Sequence, residues 1–484
     1  MTGVLPTGVP GLDTVLGGGL EPGMVIMLSG APGTGKTILA QQICFAAATA
    51  ERRAVYYTTM SEPHAKLVSH LSAFDFFEPV ALGSRVEYLH LGDLLRAAES
   101  GSLEPMVTEV VRKTVEESPA VVVLDSVKAL RDFAEERLLR LAFYDLVSRL
   151  AHTDTVLVLA GEYWAPQTES FVEFALADGI VQLEYEAREP VDRRWMRVLK
   201  MRGRRHLSGK HTFTIDRGGL QVYPRTETIL PVQGVQVTGR VASGTPRLDQ
   251  LMGGGIGVGD ATVVLGPSGI GKTIFGLSFV AEGLKRGETC LYVTFQDTAE
   301  QLIKMASSFG WDLNGPREEG RLNIHHVPIG QLDLDMLTHA IRTSLDTGQV
   351  SRVVIDSLAE LAFAAREQAR FPAYARSLTA LVRAAGASLV VTSETTTLGP
   401  TVEPVGGLTF LFHNVLLLRY IEWDSKFARA LGITKMRNSN HDKSLYKFDI
   451  TNEGLIIQDK LEDITGVLGW SALHRMTEDD LADQ

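Results

Sequence analysis

GAPGTGKT at Gly30–Thr37 and GPSGIGKT at Gly266–Thr273 decide the fold. Both satisfy G-x-x-x-x-G-K-[ST], both follow a short apolar run, and both open a segment of helical spacing, TILAQQICFAAA in one case and TIFGLSFVAEGL in the other. In such a loop Gly30, Gly33 and Gly35, or Gly266, Gly269 and Gly271, let backbone N–H groups close around phosphate oxygens, while the helix N-terminus adds partial positive charge. Lys36 or Lys272 then reaches the terminal phosphates, and Thr37 or Thr273 ligates Mg²⁺. Because the pattern occurs twice in equivalent surroundings, ATP with Mg²⁺ is a better expectation than a glycine turn.

Outward from the loops, the chain repeats itself. Gly8–Thr37 lies on Gly244–Thr273 at a constant shift of 236, with 13 of 30 positions identical. The relation continues through VYYTTMSEP and LYVTFQDTA, VVVLDS and RVVIDS, LVLAGE and LVVTSE, and KMRGRRH and KMRNSNH. Each half therefore holds one copy of one domain. The join falls in Tyr223–Arg240, where two prolines and several polar residues follow the last apparent strand. The expected domains are residues 1–232 and 233–462, followed by an acidic tail at 463–484. Short β-branched runs alternate with longer helical segments in both copies: Met24–Leu28, Ala54–Thr58, Val121–Leu124 and Val156–Leu159, then Ala261–Leu265, Cys290–Phe295, Val353–Ile355 and Ser388–Thr392. That alternation predicts an α/β fold, each copy a mainly parallel sheet flanked by helices.

Composition narrows the functional classes. With 45% hydrophobic and 22% charged residues the chain folds, and its two cysteines, Cys44 and Cys290, exclude a disulfide framework or a zinc knuckle. The N-terminus lacks a basic-then-apolar leader, and no apolar run reaches the length of a membrane span. A reducing, cytoplasmic setting without membrane contact is expected. The formal charge of −11 argues against a surface that binds nucleic acid indiscriminately.

A Mg²⁺ held by one hydroxyl and phosphate oxygens needs a carboxylate nearby, at the end of a buried strand. Asp125 and Asp356 each end an apolar run and precede a serine. Either aspartate alone could be an ordinary helix cap. Their duplication 84–89 residues beyond the loop lysines favours the metal role.

With these residues in place, the sequence resembles the RecA-type P-loop ATPases, and within them the double-domain KaiC family. The resemblance spans about residues 1–460 and rests on T-G-x-P-G-L-D…GGG, both loops, both aspartates and the paired K-M-R segments. It implies two tandem RecA-like P-loop NTPase domains, six subunits in a double-layered ring, and ATP between neighbours. It also implies that Lys200 and Arg202 of the first copy, and Lys435 and Arg437 of the second, contact the terminal phosphate of an adjoining subunit's nucleotide. His206 and His441 recur at equal spacing and are expected to be structural. The resemblance places water-activating glutamates just after the strand that follows the loop helix. There this sequence reads Ser61-Glu62 and Gln296-Asp297. Glu62 keeps one full-length carboxylate; with Gln296 and the shorter Asp297, the second site is expected to hold ATP and hydrolyse it slowly. Where the family's second domain accepts phosphate on a Ser-Thr pair, GGLTFLFHNVLLL offers Thr409 followed by Phe410.

The leading expectation is thus a ring ATPase whose nucleotide cycle changes its affinity for signalling partners. Two other readings stay open. A RecA-like DNA-dependent ATPase is suggested by Arg188–Lys210, which holds nine Lys/Arg and two acidic residues but one aromatic residue, Trp195. A nucleotide-held scaffold with almost no turnover is suggested by Gln296.

Overall fold

The β-branched runs pair into two large sheets. The computed structural model describes residues 3–59, 64–97, 102–163, 171–187, 191–229, 238–365, 369–395, 405–423, 426–437, 440–462, 464–465 and 473–474. Two compact units divide the chain, Met1–Ile229 and Leu230–Gln484. The expected join near Gln233 and most of the acidic tail lie outside the described residues. Among the described residues no helix is long and apolar enough to cross a membrane.

In the first unit β1 (Val25–Gly30), β2 (Ala54–Thr58), β3 (Val86–His90), β4 (Val121–Asp125), β5 (Val156–Glu162), β6 (Gly179–Glu186), β7 (Arg193–Met201), β8 (His211–Asp216) and β9 (Gly219–Tyr223) form one sheet in the order β3-β2-β4-β5-β1-β6-β7-β8-β9. Pairing is parallel from β3 to β6 and antiparallel from β6 to β9. The second unit repeats the order with β10 (Ala261–Gly266), β11 (Thr289–Thr294), β12 (Leu322–His326), β13 (Val350–Asp356), β14 (Ser388–Glu394), β15 (Asn414–Trp423), β16 (Lys426–Met436), β17 (Leu445–Thr451) and β18 (Gly454–Lys460).

Each unit thus adds five strands to the four its sequence announces. The central parallel strands are apolar throughout because helices cover both faces. Edge strand β3 and the antiparallel extension carry polar residues on a wetter face, which blurs their signal. The basic run contains one of the added strands, β7.

The helix Lys36–Ala47 buries Leu39, Ala40, Ile43, Cys44 and Ala47, a stripe of helical period, against the central sheet. Its buried Gln42 is satisfied by the backbone of β9, accepting from the Leu220 N–H at 2.8 Å and donating to the Leu220 carbonyl at 3.3 Å. The helix Lys272–Lys285 occupies the same place in the second unit, with Phe275, Leu277, Phe279 and Val280 buried. Both helices start at a glycine in the left-handed region, Gly35 at φ 102° and Gly271 at φ 115°. A Cβ on Gly35 would meet Ile215 Cδ1 at 2.5 Å, a contact the end of that side chain can relieve by shifting, so it is the left-handed backbone that requires glycine there.

Candidate functional site

Each phosphate loop joins the C-terminal end of a central strand, β1 or β10, to the N-terminus of its buried helix. Lys36, only 6% exposed, donates from Nζ to the Ala31 carbonyl at 2.9 Å. Lys272 donates to the carbonyls of Gly266 at 2.9 Å and Pro267 at 2.8 Å. Both ammonium groups therefore rest on their own loop's carbonyls. Burial pushes both lysines below the usual range; Glu162 and Asp125 pull Lys36 back up, and Glu394, Asp356 and Glu360 do so for Lys272.

The hydroxyl and carboxylate expected to share a metal are adjacent in both units. Thr37 Oγ1 donates to Asp125 Oδ2 and Thr273 Oγ1 to Asp356 Oδ2, each at 2.8 Å. These are hard oxygen donors of the kind Mg²⁺ takes. Among the described residues no cluster of three acidic, histidine or cysteine side chains could hold a metal by itself, so phosphate oxygens and water would have to complete a Mg²⁺ shell here. Each aspartate is further held by a buried tyrosine from the neighbouring strand: Tyr56 donates to Asp125 at 2.6 Å, and Tyr292 to Asp356 at 3.0 Å. Thr392 adds a third donor to Asp356, whereas Ala160 stands at that place beside Asp125. Burial raises the Asp125 pKa, opposed by the bonds from Tyr56 and Thr37 and by Lys36.

Around these groups lies a cavity of about 370 Å³ in the first unit, lined by Gly33, Gly35, Lys36, Thr37, Asp125 and Glu162 among others. The second unit has one of about 240 Å³, where Gly269, Gly271, Lys272, Thr273, Asp356 and Glu394 line the wall with Gln296 and Asp297. The sequence reading named neither Glu162 nor Glu394, although each pairs in register with the last glycine of the loop strand. The doubled LVLAGE and LVVTSE carried the signal. Arg194, also unnamed, lines the first cavity with its guanidinium over the Tyr185 ring at 4.8 Å. His206 and His441 line neither cavity.

Glu62 lies outside the described residues, with Met60, Ser61 and Pro63. Counting along the chain from the matched tyrosines, Met60 stands opposite Gln296 and Glu62 opposite Thr298. Gln296 Nε2 donates to Glu360 Oε1 at 2.6 Å.

The strand registers keep the K-M-R cations away from their own loops. Lys200 pairs with Ile180, which pairs with Met27, three residues before Gly30; Lys435 pairs with Val415, level with Val263, three before Gly266. Arg202 and Arg437 lie farther back, their N–H groups bonded to the carbonyls of Asp178 and His413. At about 3.3 Å per residue, each lysine starts about 10 Å, and each arginine about 17 Å, from the level of its own loop. The lysines thus stand level with the middle of the central strand and the arginines level with its beginning. Lys200 bonds the Ala175 carbonyl at 3.3 Å, Lys435 the Thr409 carbonyl at 2.9 Å, and Arg437 the Phe410 carbonyl at 3.1 Å. Thr409 is half-buried on the short helix Val405–Leu411.

Comparisons with known proteins give both halves of the chain one family. The KaiC ATPase family model matches residues 5–227 and again 241–462. The circadian clock oscillator protein KaiC of Parathermosynechococcus lividus is 28% identical over 96% of this chain and 87% of its own length. The protein of the same name from Prochlorococcus marinus is 26% identical over 99% and 97%. Circadian clock protein KaiC3 of a Synechocystis species is 25% identical over 97% and 94%. With both halves matched by one ATPase family and the doubled loops, aspartates and cation pairs in equivalent places, the chain belongs to the KaiC ATPase family.

Proposed function

We propose that this protein is a ring ATPase, most simply a hexamer, in which each bound Mg²⁺–ATP is gripped by one subunit's loop and completed by Lys200 and Arg202, or Lys435 and Arg437, of the next. The observation that carries this reading is the register of those cations, set back along each sheet from its own loop by about 10 Å for the lysines and about 17 Å for the arginines. Their side chains cannot cover that distance within one unit, while a neighbour's phosphates could meet them. Gly30, Gly33, Gly35 and Lys36, with Gly266, Gly269, Gly271 and Lys272, would hold the phosphates. Thr37 with Asp125, and Thr273 with Asp356, would hold Mg²⁺, which supplies charge neutralisation at the phosphoryl group. Turnover is slow, because the stretches after β2 and β11 carry Glu62 and Asp297 but no glutamate pair. A ligand shared between subunits couples hydrolysis to subunit contacts, and so to the affinity for signalling partners. The domains act as units of residues 1–232 and 233–462. A reducing cytoplasm suits the free, buried Cys44 and Cys290.

Phosphoryl transfer to Thr409 is a finer reading of the same geometry. Lys435 Nζ lies 2.9 Å from the Thr409 carbonyl, so a neighbour's terminal phosphate at Lys435 would come close to this residue. Mass spectrometry after incubation with Mg²⁺–ATP tests it, and an unmodified Thr409 removes it. The DNA-dependent alternative is not favoured, given the family. The basic run is also engaged internally, with Arg202 paired to Asp178, Lys210 to Glu184, and Lys210 over the Trp195 ring.

Native mass spectrometry with ATP, with ADP and without nucleotide tests the ring. Six subunits with bound ATP are expected. A monomer at saturating ATP refutes the shared site.

A further inference from the structure

We propose that Gln296 and Glu360 form a water-positioning pair in the second site: Gln296 meets the attacking water through Oε1, and Glu360 holds the amide so that Oε1 faces the cavity. The inference rests on the ATPase reading above and adds a working part to the site expected to lack one.

Glu360 is buried, 7% exposed, in the first turn of the helix Leu358–Ala364. One of its oxygens has an ordinary duty. Oε2 accepts from the Ser357 N–H at 3.2 Å and from Ser357 Oγ at 2.5 Å, the reciprocal half of a capping box. Capping does not use the other oxygen. Oε1 accepts from Gln296 Nε2 at 2.6 Å, a short bond to a charged acceptor. A carboxylate can only accept, so the amide nitrogen must face it and the amide oxygen must face away. Gln296 is exposed on the cavity wall beside Asp297, Ser357 and Lys272, and its Oε1 has no partner among the described residues. An amide oxygen cannot take up a proton at neutral pH, but it can accept a hydrogen bond from water and so align it for in-line attack.

The two copies reinforce the assignment, because the first has neither member. By sequence count Met60 corresponds to Gln296, and Ala129, four residues after Asp125, corresponds to Glu360, four residues after Asp356. The carboxylate missing from position 296 thus reappears one hydrogen bond away. In the step itself the water oxygen forms a bond to the γ-phosphorus, the bond from that phosphorus to the β–γ bridging oxygen breaks, and ADP leaves with the electron pair. One water proton stays on inorganic phosphate and the other passes to solvent. Gln296 is catalytic in this scheme and Glu360 is a positioning residue.

The test uses the full-length chain with Lys36→Ala, so that turnover reports the second site. Glu360→Gln keeps a capping-box side chain. Its amide bonds Gln296 best if Gln296 turns its own oxygen inward and its nitrogen toward the water. We expect kcat to fall by at least about tenfold, with the affinity for ATP within about twofold and an unchanged melting temperature. A merely structural Glu360 would not separate these readouts. The double variant Gln296→Glu with Glu360→Gln puts the carboxylate at the cavity and the amide behind it, and should restore turnover. Unchanged kcat in Glu360→Gln, or no recovery in the double variant, overturns the proposal. So does a Lys272→Ala chain with undiminished turnover, which would leave the ATPase reading standing on the first site. A wild-type chain that never hydrolyses ATP refutes the ATPase reading itself.

Discussion

The aspartates that would hold Mg²⁺ have unequal support, and the inequality predicts a difference between two identical substitutions. Asp125 receives two side-chain bonds, from Thr37 and Tyr56; Asp356 receives three, from Thr273, Tyr292 and Thr392. Tyr56→Phe leaves the ring in its core place, 5.0 Å from the Tyr88 ring, and removes only the phenol oxygen. A hydrogen bond to a charged group contributes about 1.5–3 kcal/mol, so its loss corresponds to a factor of about ten or more. We expect Mg²⁺-dependent ATP retention at the first site to weaken about tenfold in Tyr56→Phe. Tyr292→Phe should cost under about threefold at the second site, since Thr392 still fixes the carboxylate. Fluorescent-nucleotide titration against Mg²⁺, in chains whose other loop carries Lys→Ala, reads each site separately. The pH response gives a second check. Burial raises the Asp125 pKa and the Tyr56 phenol lowers it, so removing the phenol lets it climb. Protonated Asp125 does not ligate Mg²⁺, so acidification should abolish retention at a higher pH in Tyr56→Phe than in wild type. Equal losses at the two sites, or an unmoved acid limb, would refute the reasoning.

Three further outcomes follow from named contacts. Gly35→Ala places a Cβ 2.5 Å from Ile215 Cδ1 at φ 102°, and equilibrium dialysis should find ATP lost from the first loop and kept at the second. Arg352 is fully buried, paired with Glu288 and donating to the carbonyls of Ala242 and Phe279 at 2.6 and 2.9 Å. Arg352→Met should destabilise the second unit by about 2–4 kcal/mol in denaturant titration, as three acceptors lose their donor. Burial pushes the Cys44 thiol up strongly and the Cys290 thiol up to about 12, so a thiol reagent at neutral pH should label neither until the chain unfolds.

What the sequence disclosed follows from how strictly each function restricts residue choice. The phosphate loops were legible because only glycine takes the backbone at Gly35 and Gly271 and only a lysine at Lys36 and Lys272 suits the chemistry. The strand-end aspartates were legible because a buried apolar run makes a terminal charge conspicuous. Tyr56 and Tyr292 were not, since a tyrosine in a core strand looks like packing until its hydroxyl is seen 2.6 or 3.0 Å from a carboxylate. Glu360 was hidden for a similar reason: it fits a helix start, and only the fold brings Gln296, 64 positions earlier, to its second oxygen. The remote placement of Lys200 and Lys435 needed the antiparallel register of β6–β7 and β15–β16, which no local pattern encodes.

Where the two copies agree and where they part separates binding from turnover. Both keep the loop, the lysine, the threonine–aspartate pair at 2.8 Å and the tyrosine behind it, as two sites built to hold the same phosphates and metal would require. By sequence count they part at Met60 against Gln296 and Ala129 against Glu360, the pair proposed above to position water. A duplicated site that needed equal hydrolysis in both copies would have no reason to vary there while preserving everything that grips ATP. On the ring reading proposed above, the divergence would be a division of labour, with one set of sites holding nucleotide to keep subunits together and the other releasing it by hydrolysis to change their contacts. If so, Lys36→Ala should leave a ring that comes apart on dilution but still turns over ATP at protein concentrations where it stays assembled, whereas Lys272→Ala should chiefly reduce turnover while the ring persists. Native mass spectrometry and phosphate release on the same two preparations distinguish these outcomes. The reverse pattern would mean that the first set of sites, through Glu62, does the hydrolysis, as the sequence alone leads one to expect.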